Sequence, residues 1–470
     1  MSLNLPDPLA ALGSKAVDRR RFLGLAGLGA GAMALAACGG PTTAPAGSGG
    51  ATSSAAAAVD FTGVKPAASI SFWSNHPGGS EDVTKEIIKA FNATDEGKGI
   101  EVKLVTAGAN YEEVATKFQT AQAAGAASLP ELVVFSDVWW FRYFLAGSIT
   151  PMDPLIAATK IDTGAYRQGL LADYQYNGSQ WAIPWARSTP LFYYNKDHWK
   201  SAGLEDRAPK TWAEFAEWAP KLASANPKAK PYQHAALADY AGWTFQNILW
   251  GYGGGWSKDF DLSIMTSDAS VQAIQFLQDS VYTGKWAGVS SKSATDDLIA
   301  QATSAALGST GSLVGVLDGA KGKFEVGVGF LPGGPTSASP VCPTGGAGVG
   351  IPKGIEPARQ LAAATFVKFL TSPEMTVKFS EATGYLPVRE DADTTALIAD
   401  NPLRKTAIDQ LAVVRKQDNA RVFIPGADQE IAAAMGKVLT AQAGVKDSLT
   451  ALQTKLQSLY DSQVKSKIGG

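Results

Sequence analysis

The residue types that most often do covalent or metal chemistry are sparse in this chain of 470 residues. Its three histidines, His76, His198 and His234, stand far apart, as do its two cysteines, Cys38 and Cys342. A metal site needs three or four ligands brought together, commonly as Cys-x-x-Cys or His-Glu-x-x-His, and neither pattern occurs. The Gly-x-x-x-x-Gly-Lys-Ser/Thr phosphate loop and the Gly-x-Ser-x-Gly serine turn are also missing. Gly345 to Gly350 is glycine-rich, but no dinucleotide-binding unit surrounds it in the right order. With no nucleophile and base pair and no ligand cluster in view, the sequence favours binding over catalysis and calls for no cofactor or metal.

Composition narrows the partners. Lys and Arg number 41 against 43 Asp and Glu, a formal charge of -2, which lacks the basic surface a nucleic-acid partner requires. Hydrophobic residues make up 45% and charged residues 18%, so the chain is globular, and its length predicts two lobes.

Any binding groups must be positioned by elements that the apolar spacing marks out. Ser69 to Trp73 reads as a strand. Ser80 then suits a helix cap before an apolar face of Val83, Ile87, Ile88 and Phe91. Ile100, Val102 and Leu104 alternate as a second strand, Tyr111 opens a second helix, and Leu132 to Phe135 is a solid apolar run suited to a strand covered on both faces. This order predicts a parallel sheet with helices on both sides. Ligands in such sheets lie beyond the carboxyl ends of the strands, which here carry Asn75-His76, Gly108 to Tyr111, and Ser136-Asp137. Asp137 is either a helix-capping or solvated loop acid or, beside Trp139 and Trp140, a binding group. Further on, Leu191 to Tyr194 and Phe324 to Leu331 read as strands. Helices are expected after Thr211, through Val271, Ile274 and Leu277, over 358–370, and through most of 429–464.

The first forty residues read as an address. Arg19-Arg20-Arg21-Phe22-Leu23 leads into an uncharged run ending at Ala37, too short to span a bilayer comfortably but suited to a signal peptide. The paired arginines resemble a twin-arginine export signal, and Leu35-Ala36-Ala37-Cys38-Gly39 resembles a lipoprotein cleavage site, which makes Cys38 the expected lipidated residue. Gly39 to Val59 is built almost wholly of Gly, Ser, Thr, Pro and Ala and reads as a flexible tether. The expectation is a monomer exported to the outer face of the cytoplasmic membrane and held there by the lipid alone.

Several segments resemble the solute-binding proteins of ABC importers, especially the Ugp-type glycerol-3-phosphate and glycerophosphodiester binders of actinobacteria. They are Gly108 to Glu113, Ser188 to Asp197, Ser309 to Leu313, Pro343 to Gly348, Thr383 to Val388 and Ala420 to Phe423. The resemblance implies an α/β, two-lobed fold like that of maltose-binding protein, hinged between lobes. It implies residues 1–37 as leader, 38–60 as lipidated cysteine and linker, 61–187 with 326–366 as the first lobe, and 188–325 with 367–470 as the second. It implies a glycerophosphodiester such as glycerophosphocholine, or glycerol-3-phosphate, as ligand and membrane permease subunits as partner.

Carried over residue by residue, the resemblance places Tyr111, Asp137, Ser188, Ser309, the Gly346 N–H, Tyr385 and Arg421 around that ligand. Arg421 would take the phosphate, because a guanidinium offers a planar fork of donors to two oxygens. Asp137 would hold the glycerol hydroxyls at the other end, since an acid beside the phosphate would repel it. The plainer alternatives are an ion-pair role for Arg421 and packing for Tyr385. Tyr240 stands where enteric members carry a tryptophan that crowds the pocket and actinobacterial members a smaller residue. Trp139, Trp140, Trp185 and Trp243 are candidates for an aromatic wall around a choline head group. The rival readings are an oligosaccharide-binding protein of the same fold and a secreted phosphodiester hydrolase.

Overall fold

The computed structural model describes residues 59–76 and 78–469, without the side chains of Asp239 and Tyr240. The expected leader and Cys38 lie outside the described residues. Along the chain the principal strands are β1 (Ser69–Ser74), β2 (Glu101–Thr106), β3 (Leu132–Ser136), β4 (Ile183–Ser188), β5 (Pro190–Asn195), β6 (Tyr232–His234), β7 (Ala287–Val289), β8 (Ala305–Ser309), β9 (Val326–Gly329) and β10 (Gly345–Gly350). They form two five-stranded sheets, ordered β2-β1-β3-β10-β4 and β9-β5-β8-β6-β7.

The early pattern is borne out. β1 pairs in parallel with β2 and with β3, and every residue of β3 is buried. The intervening helix Gly79–Asn92 buries Val83, Ile87, Ile88 and Phe91. Each such side chain contributes roughly 1.5–3 kcal/mol by leaving water, and Phe91→Ala would cost about 3–5 kcal/mol. Ser80 is not the cap: Gly78, at φ 66, turns the chain into the helix, and Ser80 sits inside its first turn. Thr211 does cap helix Trp212–Ala225, accepting from the Glu214 N–H.

The sheet is mixed rather than wholly parallel. The glycine run Gly345–Gly350 is itself a strand, antiparallel to both β3 and β4. Its glycines allow close packing: a Cβ on Gly350 would lie 2.2 Å from the Phe135 ring, and one on Gly345 would lie 2.6 Å from Trp243.

The crossings between lobes differ from the expected boundaries. β9 hydrogen-bonds to β5, so residues 326–329 belong to the second sheet. Helices Pro357–Leu370 and Pro373–Thr383 bury Phe366, Val367, Leu370, Met375 and Phe379 in the core of the first sheet. The reason is plain: alternating apolar residues make a strand in either sheet, and an amphipathic helix does not say which core it faces. The chain therefore passes between sheets at Thr189, joining β4 directly to β5, and returns at Thr344 just before β10.

Candidate functional site

The site grows from the ends of strands in both sheets. β3 delivers Asp137, whose N–H bonds to the Gly346 carbonyl at 3.1 Å. β4 ends at Ser188, which pairs with Gly345, and Arg187 pairs with Gly346. Gly346 has φ 89, and a Cβ there would lie 2.1 Å from the Ala186 carbonyl oxygen, so the register shift at this point requires glycine. β8 ends at Ser309, whose Oγ accepts from the Gly311 N–H at 3.1 Å, and Tyr193 donates to the Ser309 carbonyl at 2.7 Å. Asn110 caps helix Tyr111–Ala124 and so places Tyr111 at its first turn. Gly384, at φ 91, ends helix Pro373–Thr383 and releases Tyr385 toward Tyr111.

The short helix Asn419–Val422 carries Arg421 between the two cores. Val422 and Phe423 pack in the first, Ala420 and Ile424 in the second. The Arg421 guanidinium is 5% exposed, and Nη1 meets Asp137 Oδ2 at 3.1 Å. Nε donates to Asp428 Oδ1 at 2.8 Å and Nη2 to Oδ2 at 3.4 Å. Gln417 closes the ring, accepting from Arg421 Nη1 and donating to Asp137 Oδ2. Gln246 then donates to Gln417 Oε1 at 3.1 Å. Burial opposes the charge on Arg421, but Asp428 and Asp137 overcome it and hold its pKa above the ordinary arginine value. Asp428 has room there because position 242 is glycine, where a Cβ would lie 2.2 Å from Asp428 Oδ1.

This bears on the expected separation of Asp137 and Arg421. The expectation set Asp137 apart from Arg421; in the structure the two are a direct ion pair. A buried guanidinium needs a counter-charge, and Asp137 is within reach across the lobes. The ion-pair reading of Arg421 and its placement beside the other expected residues therefore hold together.

The aromatic residues divide. Tyr385 and Tyr111 share a hydrogen bond, and burial raises the pKa of both, so both stay protonated. Tyr385 also rests on Gly311, where a Cβ would lie 2.8 Å from its ring. Tyr111 and Tyr385 thus form one group, reaching Ser309 through Gly311, and Asp137, Gly346 and Arg421 form another; Arg187, paired with Gly346 and bridged to Leu386, lies between them with Ser188 next in its strand. Trp243 donates to the Thr344 carbonyl at 2.8 Å beside them. Trp139 donates to Glu112 at 2.7 Å and lines a small cavity with Arg421 and Asp428. Trp185 packs on His76, Phe72 and Phe379. Trp140 is core: it is fully buried among Phe141, Tyr174 and Phe423. Tyr240 lies on helix Leu237–Gly251, but its side chain is outside the described residues.

Sequence reasoning missed several neighbours. Arg187 is fully buried, pairs with Asp173, and donates to Tyr174 Oη at 2.8 Å. Its signal was present: a charge inside the apolar strand Ile183–Ser188 must be paired. Gln417 and Asp428 left no such signal. Cys342 is buried in a two-residue strand beside Val414 and Arg415, with its thiol pKa pushed up by burial. Among the described residues no helix is long and apolar enough to cross a membrane, and no group of His, Cys, Asp and Glu could hold a metal.

With this geometry, the chain was compared with known proteins. Residues 86–406 match the family described as bacterial extracellular solute-binding protein. The chain belongs to that family. Among solved structures, this family member superposes on UgpB from Mycobacterium tuberculosis in complex with glycerophosphocholine, with a TM-score of 0.79 and 40% identity over 84% of this chain and 99% of that one. Maltose-bound MalE3 of T. maritima gives a TM-score of 0.71 at 23% identity, over 83% and 99% of the two chains, and shows the maltose-binding-protein-like fold. The sn-glycerol-3-phosphate-binding periplasmic protein UgpB of Brucella abortus is 26% identical over 75% of this chain and 83% of its own length. That of Pectobacterium atrosepticum is 28% identical over 71% and 77%. These relatives are extracellular or periplasmic solute-binding proteins, as the resemblance implied.

Proposed function

We propose that this protein captures glycerophosphodiesters, glycerophosphocholine foremost, or sn-glycerol-3-phosphate, and delivers them to the permease subunits of an ABC importer. One observation carries the reading. A buried arginine fork stands between the lobes, ion-paired with Asp137, whose N–H bonds to the Gly346 carbonyl, while strands β4 and β8 end at the Ser188 and Ser309 hydroxyls. Such donors are what an anionic ester needs when it leaves water. The names of the relatives point to the same ligand class. No bond is made or broken; ligand contacts from both lobes favour the closed form. The ligand phosphate shares Arg421 with Asp428 and takes over donors that Asp137 otherwise engages. The expected leader and Cys38 add a lipid anchor on the outer face of the membrane.

Calorimetry with glycerophosphocholine, sn-glycerol-3-phosphate, maltose and trehalose tests the reading. Micromolar or tighter binding of a phosphate ester is expected; tight sugar binding with silence toward both esters overturns it. Sustained hydrolysis of glycerophosphocholine would establish an enzyme instead. Cys38→Ala is expected to abolish labelling by a lipid probe.

A further inference from the structure

His76 is a buried titratable group, beside Tyr111 and Tyr385, to which no role has been given. It follows β1 and is enclosed by four rings, Tyr111, Trp185, Phe379 and Tyr385, at centroid distances of 5.9, 5.0, 6.3 and 5.6 Å. Its two nitrogens have different neighbours. Nδ1 lies 3.1 Å from Ser74 Oγ, and Nε2 lies 3.4 Å from Tyr111 Oη.

Ser74 decides the tautomer. The serine is buried, and its Oγ accepts the His76 backbone N–H at 3.2 Å. Its own proton needs an acceptor, because a buried hydroxyl left without one is costly. Among the described residues Nδ1 is the acceptor in reach. An Nδ1 that accepts has no proton, so the ring carries its proton on Nε2, which faces Tyr111. Nε2–H then donates to the Tyr111 oxygen, and Tyr111 must turn its own proton elsewhere. Tyr385 is its other partner. The chain of donors runs Ser74, His76, Tyr111, Tyr385.

We propose that His76 is a positioning residue that polarises this relay so that Tyr385 keeps its hydroxyl proton free to donate to the anionic oxygens of the ligand. The inference rests on the ligand reading above and deepens it. With each oxygen upstream already accepting, the last hydroxyl in the line becomes a stronger donor. Burial lowers the imidazole pKa to about 4, so the ring remains a neutral, one-donor link at physiological pH. The arrangement also explains a histidine rather than a phenylalanine inside an aromatic cage.

Two measurements test it. The first needs no ligand: long-range nitrogen–proton correlation on the labelled protein reads the His76 tautomer. Protonation on Nε2 is expected, and protonation on Nδ1 overturns the relay. The second is a double-mutant cycle by calorimetry with glycerophosphocholine. His76→Phe is expected to weaken binding about tenfold, and less than twofold when Tyr385 is already Phe. His76→Gln, whose amide N–H can reach the Nε2 position, is expected to restore most of the loss. Equal losses in both backgrounds, or none, overturn the proposal. Should His76→Phe fail to fold, Ser74→Ala probes the same relay from its other end, with coupling to Tyr385→Phe again expected. Silence of the wild-type protein toward glycerophosphocholine overturns the ligand reading instead, and leaves the tautomer measurement to judge His76.

Discussion

Asp137 and Arg421 are 284 residues apart in the chain and 3.1 Å apart in the fold. One belongs to the end of β3 in the first lobe, the other to a helical turn lying between the cores. The contact therefore reports on how the lobes meet, and it makes Asp137 a competitor of any anion for the guanidinium.

Removing the fork should be the most damaging change to binding. Arg421→Ala deletes a buried charged donor and leaves Asp137 and Asp428 facing each other. Affinity for glycerophosphocholine should fall by at least about 2 kcal/mol. Arg421→Lys should recover only part of this, because an ammonium lacks the planar pair of donors. Calorimetry decides, and unchanged affinity would remove Arg421 from the site.

Neutralising the competing acid should alter selectivity rather than abolish binding. Asp137→Asn keeps the size of the side chain and removes its charge. Sn-glycerol-3-phosphate carries more negative charge than glycerophosphocholine, so its affinity should improve relative to the diester, by roughly threefold or more. A ratio unmoved from wild type would mean that Asp137 does not feel the phosphate.

Gly242 should not tolerate even a methyl group. Its Cβ would sit 2.2 Å from Asp428 Oδ1 and 3.2 Å from Arg421 Nε. Gly242→Ala should cost about 1–3 kcal/mol of stability by overpacking. It should also weaken ligand binding, as Asp428 swings away from the edge it holds. A variant that melts and binds like wild type would show that Asp428 is not needed where it stands.

Acid should weaken the fold through its buried histidines. Burial lowers the pKa of His76 to about 4 and that of His234 to about 3. Unfolded, both take up a proton near pH 6.5. The folded pKa lies below the unfolded one, so their contribution is complete above pH 6.5 and is lost as pH falls toward 4 for His76 and toward 3 for His234. Each group removes about 1.4 kcal/mol per pH unit across that window. Urea titrations at pH 7 and pH 5 should differ accordingly, and the difference should shrink in His76→Phe with His234→Phe.

Much of this was legible in the chain because local rules carried it. Leu132 to Phe135 announced a covered strand, and Asp137 followed it at the position where such sheets bind. Thr211 announced its helix. Other features had no local signature. The alternation in Val326–Gly329 suits either sheet, so the lobe boundary came out wrong. Trp140 and Trp243 look alike in sequence, yet one is packed among core rings and the other faces Thr344. Asp137 could be singled out, but its partner could not be read from spacing, and the isolation of charge expected between them gave way to a buried guanidinium's need for a counter-ion. Gly242 is one glycine among 49 until Asp428 is seen beside it.

Cys342 has a practical consequence. Its thiol is sealed in the interior and reluctant to ionise, so maleimides and iodoacetamides should pass it by. Gln429, on the exposed rim, reaches Glu112 on the opposite lobe at 3.0 Å. A cysteine installed at 429, in protein lacking Cys38, would accept a single fluorophore, and the molecule becomes a reagentless optical gauge of its own ligand.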